Sequence, residues 1–362
     1  MNSATQKVTF APSASTRFAA EVKDRVASYF QATGRSTSAN ASMVWKTLFM
    51  LLLTFGSYAM LLSNLLPPWA LVPTCILMGI GTAGIGLGIA HDALHGAYSS
   101  REWVNRVLGL TFEMVGANGY MWKLTHNVIH HTYPNIHGLD EDLEVSPLLR
   151  LSPESKHRPV HRYQHWYAAL AYGLTTLYWV ILKDYKYFLK RDLGPFQGRR
   201  HPAGEVATLI GAKIVYYTYM LLIPLLVVNA PWWQVLAGFL IVHVTAGIIL
   251  GVVFQLAHVV EETDHPVPEE GGFLESAWMV HQMETTSNFA NGNRLLTWYV
   301  GGLNHQIEHH LFPRICSVHY PALAPIVREA AEKTGVPYHH HETLRQAIGS
   351  HWRTLKRLSV EA

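Results

Sequence analysis

The sequence predicts an all-α integral membrane protein: four transmembrane helices in two hairpins, with a cytoplasmic helical cap that holds a two-metal site. Three observations carry this. Only 15% of the 362 residues are charged while 49% are hydrophobic, well below the quarter charged that is usual in a soluble domain. Two stretches lack charge altogether, and each is long enough for two spans. Histidine is almost as frequent as all carboxylates together, 22 against 25, and it clusters where those stretches end.

The first element is the polar segment 1–42. No signal peptide is visible ahead of the first apolar run, and "GRSTSANAS", Gly34–Ser42, reads as a flexible lead-in. Residues 47–90, 44 residues, then contain no Asp, Glu, Lys or Arg. One span needs about 20 apolar residues, so this run holds two, broken at "LLPPWA" by Pro67 and Pro68. Gly84 and Gly88, at GxxxG spacing, predict close packing of the second helix. A second charge-free run, residues 214–260, 47 residues, is broken at "NAPWWQ". Trp69, Trp232 and Trp233 stand at the two turns, where aromatic rings favour the bilayer interface.

Neither turn carries Lys or Arg, so the positive-inside rule places both termini, the 91–213 region and everything after 260 in the cytoplasm. The expected location is a bacterial cytoplasmic membrane. "WYAALAYGLTTLYWVIL", Trp166–Leu182, is uncharged but short, and a single crossing there would separate the histidine groups onto opposite faces. It is therefore expected to be interfacial or re-entrant. Residues 341–362 read as a basic amphipathic helix lying on protein or membrane. Two cysteines exclude a disulfide framework and a four-cysteine metal site. The net charge of +3 says little about partners; no nucleic-acid partner is expected.

The histidines supply the chemistry. "HDALH" puts His91 and His95 four residues apart, on one helix face. "HNVIHH" does the same with His126 and His130, and α-helical rotation turns His131 about 100° away, toward a different ion. His258 stands at the end of the second hairpin, in "QLAHVVEE". "QIEHH" adds His309 and His310. Eight imidazoles exceed one ion's needs and suit two first-row metals with open positions; ligand type alone does not distinguish iron, copper, nickel and zinc. A metal pair where helices leave the bilayer can meet an apolar chain drawn from the lipid. Attack on its unactivated C–H bonds calls for oxygen activated at a redox metal such as iron. His137, His157, His161, His165, His201 and His339–His341 lack such spacing and are expected on the surface. His243, in mid-span, is expected to hydrogen-bond or to line a cavity.

At these residues the chain resembles the membrane fatty acid desaturases, histidine-box di-iron enzymes, and within them the front-end branch that includes cyanobacterial acyl-lipid Δ6 desaturases. The resemblance rests on "HDALHGAYS", "HNVIHHTYPNI", "NFANGNRLLTWYVGGLNHQIEHHLFPRIC" and "VHYPAL", and covers roughly residues 45–340. It implies a desaturase domain over 43–340 and metal ligands at His91, His95, His126, His130, His131, His258, His309 and His310. Gln306, where other desaturases usually carry histidine, is a weaker ninth. Asp92, Asn127, Asp142, Asn304 and Glu308 are candidates to orient the histidines. Tyr120 and Trp122 are candidates to border an acyl tunnel.

The implied reaction inserts a cis double bond on the carboxyl side of an existing one, at Δ6 or, second, Δ5. It uses two Fe2+ ions, O2 and two electrons from outside, and yields two waters. The substrate is a fatty acyl chain on CoA or lipid. No fused cytochrome b5 domain is visible, so a separate donor such as a ferredoxin or cytochrome b5 is expected. The basic segment "KDYKYFLKRDLGPFQGRR", 183–200, with Lys190, Arg191, Arg199 and Arg200, could steer it. The competing readings are a membrane hydroxylase or carotenoid ketolase, against which "QIEHHLFP" argues, and a metal transporter, which should carry its ligands inside the spans.

Overall fold

Among the described residues, four helices are long and apolar enough to cross a membrane: Ala41–Leu62, Pro68–Leu94, Ala203–Val227 and Trp232–His258. They belong to a computed structural model that describes residues 8–12, 17–143, 147–194, 198 and 200–360. The hairpin turns fall at the predicted prolines. Pro67 and Pro231 hold extended backbone just ahead of the second and fourth spans, and Pro68 occupies the first helical turn, where its missing N–H costs nothing.

Three spans reach further than the charge-free runs. Lys46 lies inside the first, the second continues past Asp92 to Leu94, and the third begins at Ala203, ahead of Lys213. Lys213 is tolerated because its Nζ lies 2.8 Å from Asp184 Oδ2 and donates to the carbonyls of Gly116 and Val180. The glycines of the second span bring it against the first: a Cβ on Gly81, Gly84 or Gly88 would collide with Thr54, Met50 or Lys46 respectively. Gly79 likewise admits Thr245 of the fourth span.

Trp166–Leu182 does not form a span. Of its helical pieces, Gln164–Gly173 and Thr175–Tyr178 pack along the fourth span, and Trp179–Lys183 continues from them. Gly247 and Gly251 let it approach, because a Cβ at either would meet Tyr172 or Gly173. The boxes at His91 and His258 therefore lie at the same end of their two hairpins.

Beyond the spans a helical cap closes over the boxes. Its core joins Phe18, Val22 and Val26 of the helix Arg17–Thr33 to Leu323 and Val327 of the helix Tyr320–Thr334, with Met283, Ile307 and Leu311 between them. Two small parallel sheets pin it: β1 (Thr9–Ala11) on β2 (Phe273–Ala277), and β3 (Ser287–Phe289) on β4 (His339–His341). Strands of three to five residues leave no readable alternation, so the sequence does not announce them. The Gly34–Ser42 segment is tied down rather than free: Thr37 O accepts from Cys316 N, Ala39 N donates to Tyr98 O, and His319 Nε2 donates to Ser38 O. The helix Leu344–Leu358 starts at a Thr343–Gln346 capping box and packs on protein, with His351 bonded to Tyr172 Oη and Val259 O.

Two histidines expected at the surface are buried. His161 Nε2 donates to Pro147 O at 3.0 Å, and His341 lies in β4 with Nε2 3.1 Å from Glu262 Oε2. His161 Nδ1 also accepts from Arg158 N at 3.1 Å; such backbone and carboxylate partners are not revealed by spacing. In the segment 183–200, Arg191 and Arg200 are exposed. Lys183 is buried against Asp142 at 3.3 Å and Lys190 pairs with Glu141 at 3.0 Å, while Arg199 lies outside the described residues.

Candidate metal centre

His91 sits in the last turn of the second span, and His95 caps that helix. Gly119–Trp122 continues as a π-helical turn, Lys123–His130, that carries the second box. The π geometry changes the predicted layout. His131 N bonds to His126 O, five residues back, so each residue rotates less than in an α-helix. Positions four and five beyond His126 then straddle it. His130 and His131 stand 5.0 and 4.9 Å from the His126 ring, so all three face one side. His258 ends the fourth span, and His309 and His310 lie on the short helix Gln306–Leu311.

All eight histidines are buried and converge. Ligand nitrogens of His91, His95, His126 and His309 lie within 4.8 Å of one another, as do those of His130, His258 and His310. His131 joins His309 and His310 in a third such group, linking the two.

The hydrogen bonds show what these rings are prepared for. Nδ1 of His126 meets Asp142 at 3.2 Å, His130 meets Asp140 at 3.0 Å, His310 meets Gln282 Oε1 at 2.8 Å, and His309 meets the Tyr320 hydroxyl at 3.2 Å. In each of these four rings Nε2 is buried without a protein partner, and both nitrogens of His131 are likewise bare. Buried polar atoms normally find partners. A proton fixed on one nitrogen with the other lone pair aimed inward is how an imidazole is held for a metal. The donor set is all neutral nitrogen at its centre and fits redox-active or zinc-like first-row ions.

Electrostatics favour that state. Burial, reinforced by the neighbouring imidazoles, holds His95, His126, His131, His309 and His310 well below the ordinary histidine value. Burial also opposes charge on His130, but the Asp140 carboxylate outweighs it and holds that ring above the ordinary value.

The residues expected to orient the histidines divide. Asp142 does so, and Asp92 Oδ1 stands 3.6 Å from His91 Nδ1 while its Oδ2 accepts from Ser317 N and Oγ and from Cys316 Sγ. Asn127, Asn304 and Glu308 face elsewhere. Asn127 donates to Leu94 O, Asn304 to Phe289 O and Thr297 Oγ1, and Glu308 accepts from Asn288 and Tyr338. Gln306 donates its amide to His258 Nε2 at 3.2 Å, while His258 Nδ1 faces Thr285 O. Asp140, Gln282 and Tyr320 were not singled out from sequence. Asp140 had a signal, a carboxylate two residues before Asp142, but the other two meet the boxes only through tertiary packing.

A mostly apolar cavity reaches His91, His126 and Gln306 and runs between the spans past Trp122, Phe254 and Leu250. Thr176 and His243 line it within the membrane. His243 has both nitrogens occupied, by Tyr216 Oη at 2.6 Å and Thr176 Oγ1 at 3.1 Å. It is a hydrogen-bonding residue and a cavity wall together. Trp122 borders the cavity, whereas Tyr120 is not among its lining residues and meets His201 Nδ1 at 3.1 Å.

The chain as a whole is similar to known proteins. The fatty acid desaturase family model matches residues 67–342. The chain is 37% identical over 360 residues to the sn-1 linoleoyl-lipid 6-desaturase of Arthrospira platensis, covering 99% of this chain and 97% of that one. It is 36% identical over 341 residues to the protein of the same name from Synechocystis sp., covering 92% and 93%. An acyl-lipid (8-3)-desaturase of Physcomitrium patens is 32% identical over 349 residues, 94% and 71% of the two chains.

Proposed function

The chain belongs to the fatty acid desaturase family, and we propose that it forms a cis Δ6 double bond in a C18 acyl chain that already carries a bond further from the carboxyl end. It is a membrane enzyme that acts on fatty acyl substrates, and its buried histidine clusters form a metal site. The observation that carries the reading is the apolar cavity ending at His91, His126 and Gln306, in a chain so similar to linoleoyl-lipid 6-desaturases.

The balance is one –CH2–CH2– unit, one O2, two electrons and two protons in, and one –CH=CH– and two waters out. Iron held by the eight histidines would supply the oxygen activation that an unactivated methylene requires. The chain's own residues do the rest. Asp140, Asp142, Gln282 and Tyr320 keep the imidazoles of their partners in the tautomer whose Nε2 faces the cluster. Trp122, Phe254 and Leu303 wall the cavity and exclude water. Gln306 stands where the cavity meets the cluster and sets its shape beside His258. The electrons come from a separate donor such as a ferredoxin or cytochrome b5. The boxes and both termini lie on the cytoplasmic side of a bacterial cytoplasmic membrane.

Linoleate and stearate fed separately to an expressing host test this. New Δ6 bonds in linoleate, and none in stearate, are expected on mass spectrometry of derivatised fatty acids. A Δ9 bond in stearate, or one on the methyl side of linoleate's bonds, would refute the regiochemistry. A hydroxylated product would refute the reaction class.

A further inference from the structure

A second cavity, of about 290 Å3, shares no lining residue with the acyl cavity. Lys46 of the first span lines it and is only 4% exposed. Room for its head exists because Gly88 has no side chain; a Cβ there would sit 2.6 Å from Nζ. Among the described residues no hydrogen bond or ion pair reaches Nζ. Asp92, the carboxylate whose charge acts on it, forms no ion pair with it and is held by Ser317 and Cys316. A buried ammonium that no acceptor contacts is costly. Arg294, a second cation with no ion pair among the described residues, lines the same cavity together with the hydroxyl residues Ser42 and Thr297, and no carboxylate does.

Its mouth has the look of a bilayer interface. Trp298 lines it, while Trp45 and Leu295, beside Lys46 and Arg294 in the chain, are 71% and 74% exposed. Exposed tryptophan beside basic residues is the pattern of the headgroup zone, where lipid phosphates lie. Two cations, hydroxyl groups and no competing carboxylate recognise an oxyanion.

We propose that this cavity binds a phosphate oxyanion, of the kind an anionic lipid headgroup presents, between Lys46 and Arg294. The test is thermal unfolding of the purified full chain in neutral detergent, alone, with phosphatidylglycerol, and with inorganic phosphate. Wild-type protein is expected to gain unfolding temperature with phosphatidylglycerol, and Lys46→Met and Arg294→Gln to lose that gain. A gain from inorganic phosphate alone, lost in the same variants, also supports the site and assigns it to a soluble anion. No gain in wild type with either, or an equal gain in all three proteins, overturns the proposal. Because Arg294 is exposed, Arg294→Gln decides the matter by itself if Lys46→Met fails to accumulate.

Discussion

Asp140 Oδ2 lies 3.0 Å from His130 Nδ1, with both side chains wholly shielded from solvent. The ring's other nitrogen faces the cluster without a protein partner. Asn135 holds the carboxylate through its own backbone N–H, and its side-chain amide donates to His258 O. Asp140→Asn keeps the shape and removes the charge. Metal affinity is expected to fall roughly 10- to 100-fold, the usual cost of losing such a partner, as measured by metal retained against a competing chelator. Wild-type retention would show that the carboxylate serves only the fold.

His131 has no hydrogen bond on either nitrogen and touches rings of both groups, His95 at 4.8 Å and His310 at 4.4 Å. His131→Ala is expected to insert into membranes normally, to lose desaturation, and to bind less than the wild-type complement of iron. Full activity in this variant would remove His131 from the centre.

Metal-free protein should lose stability in acid. The folded state holds His95, His126, His131, His309 and His310 well below the ordinary value of 6.5. The unfolded chain therefore binds more protons below that pH, and stability falls as pH falls, by at most about 1.4 kcal/mol per group per pH unit. His130, held above its ordinary value, works the other way: its contribution is present in acid and lost as pH rises. Five groups outweigh one. The apparent unfolding temperature of chelator-treated protein should drop between about pH 6.5 and about pH 5. A flat profile would mean that the rings are not buried as neutral groups.

The Lys213–Asp184 pair, buried at 2.8 Å, couples the third span to the helices that follow Trp166. Asp184→Ala strands the ammonium and is expected to cost about 3–5 kcal/mol. Lys213→Met combined with Asp184→Leu should recover most of it, since an apolar pair replaces a buried ionic one at little cost. Unfolding in detergent of the three proteins checks this. A double variant as weak as the single would point to a role for the charges beyond mutual neutralisation.

What could be read from sequence follows from range. The spans are legible because hydropathy is a local property, and HxxxH is legible because a helix turn is local. The charge-free criterion failed at Lys46, Asp92, Glu205 and Lys213, all inside the spans; for the buried Lys46, Asp92 and Lys213, distant groups decide whether a charge is tolerated. Asp142 was legible as a carboxylate near a box. Gln282 and Tyr320 reach His310 and His309 only once the cap has folded, and Asn304 and Glu308 looked equally suitable yet turn toward β3 and its neighbours. The one misjudged angle, at His131, came from assuming α-helical rotation.

The π-helical turn has a consequence for insertions and deletions. Each i→i+5 turn takes one residue more than the α-helical turn around it, and here the extra residue lies within the second box, between Lys123 and His130. Removing the exposed Val128 would leave every histidine present and the composition almost unchanged. The turn could then close as an α-helix, and His130 and His131 would each swing through a residue's rotation while His126 stayed. A substitution scan would never sample that change. The centre is thus encoded in the count of residues between ligands as firmly as in their identity, and a single-codon deletion there should do as much damage as the loss of a histidine.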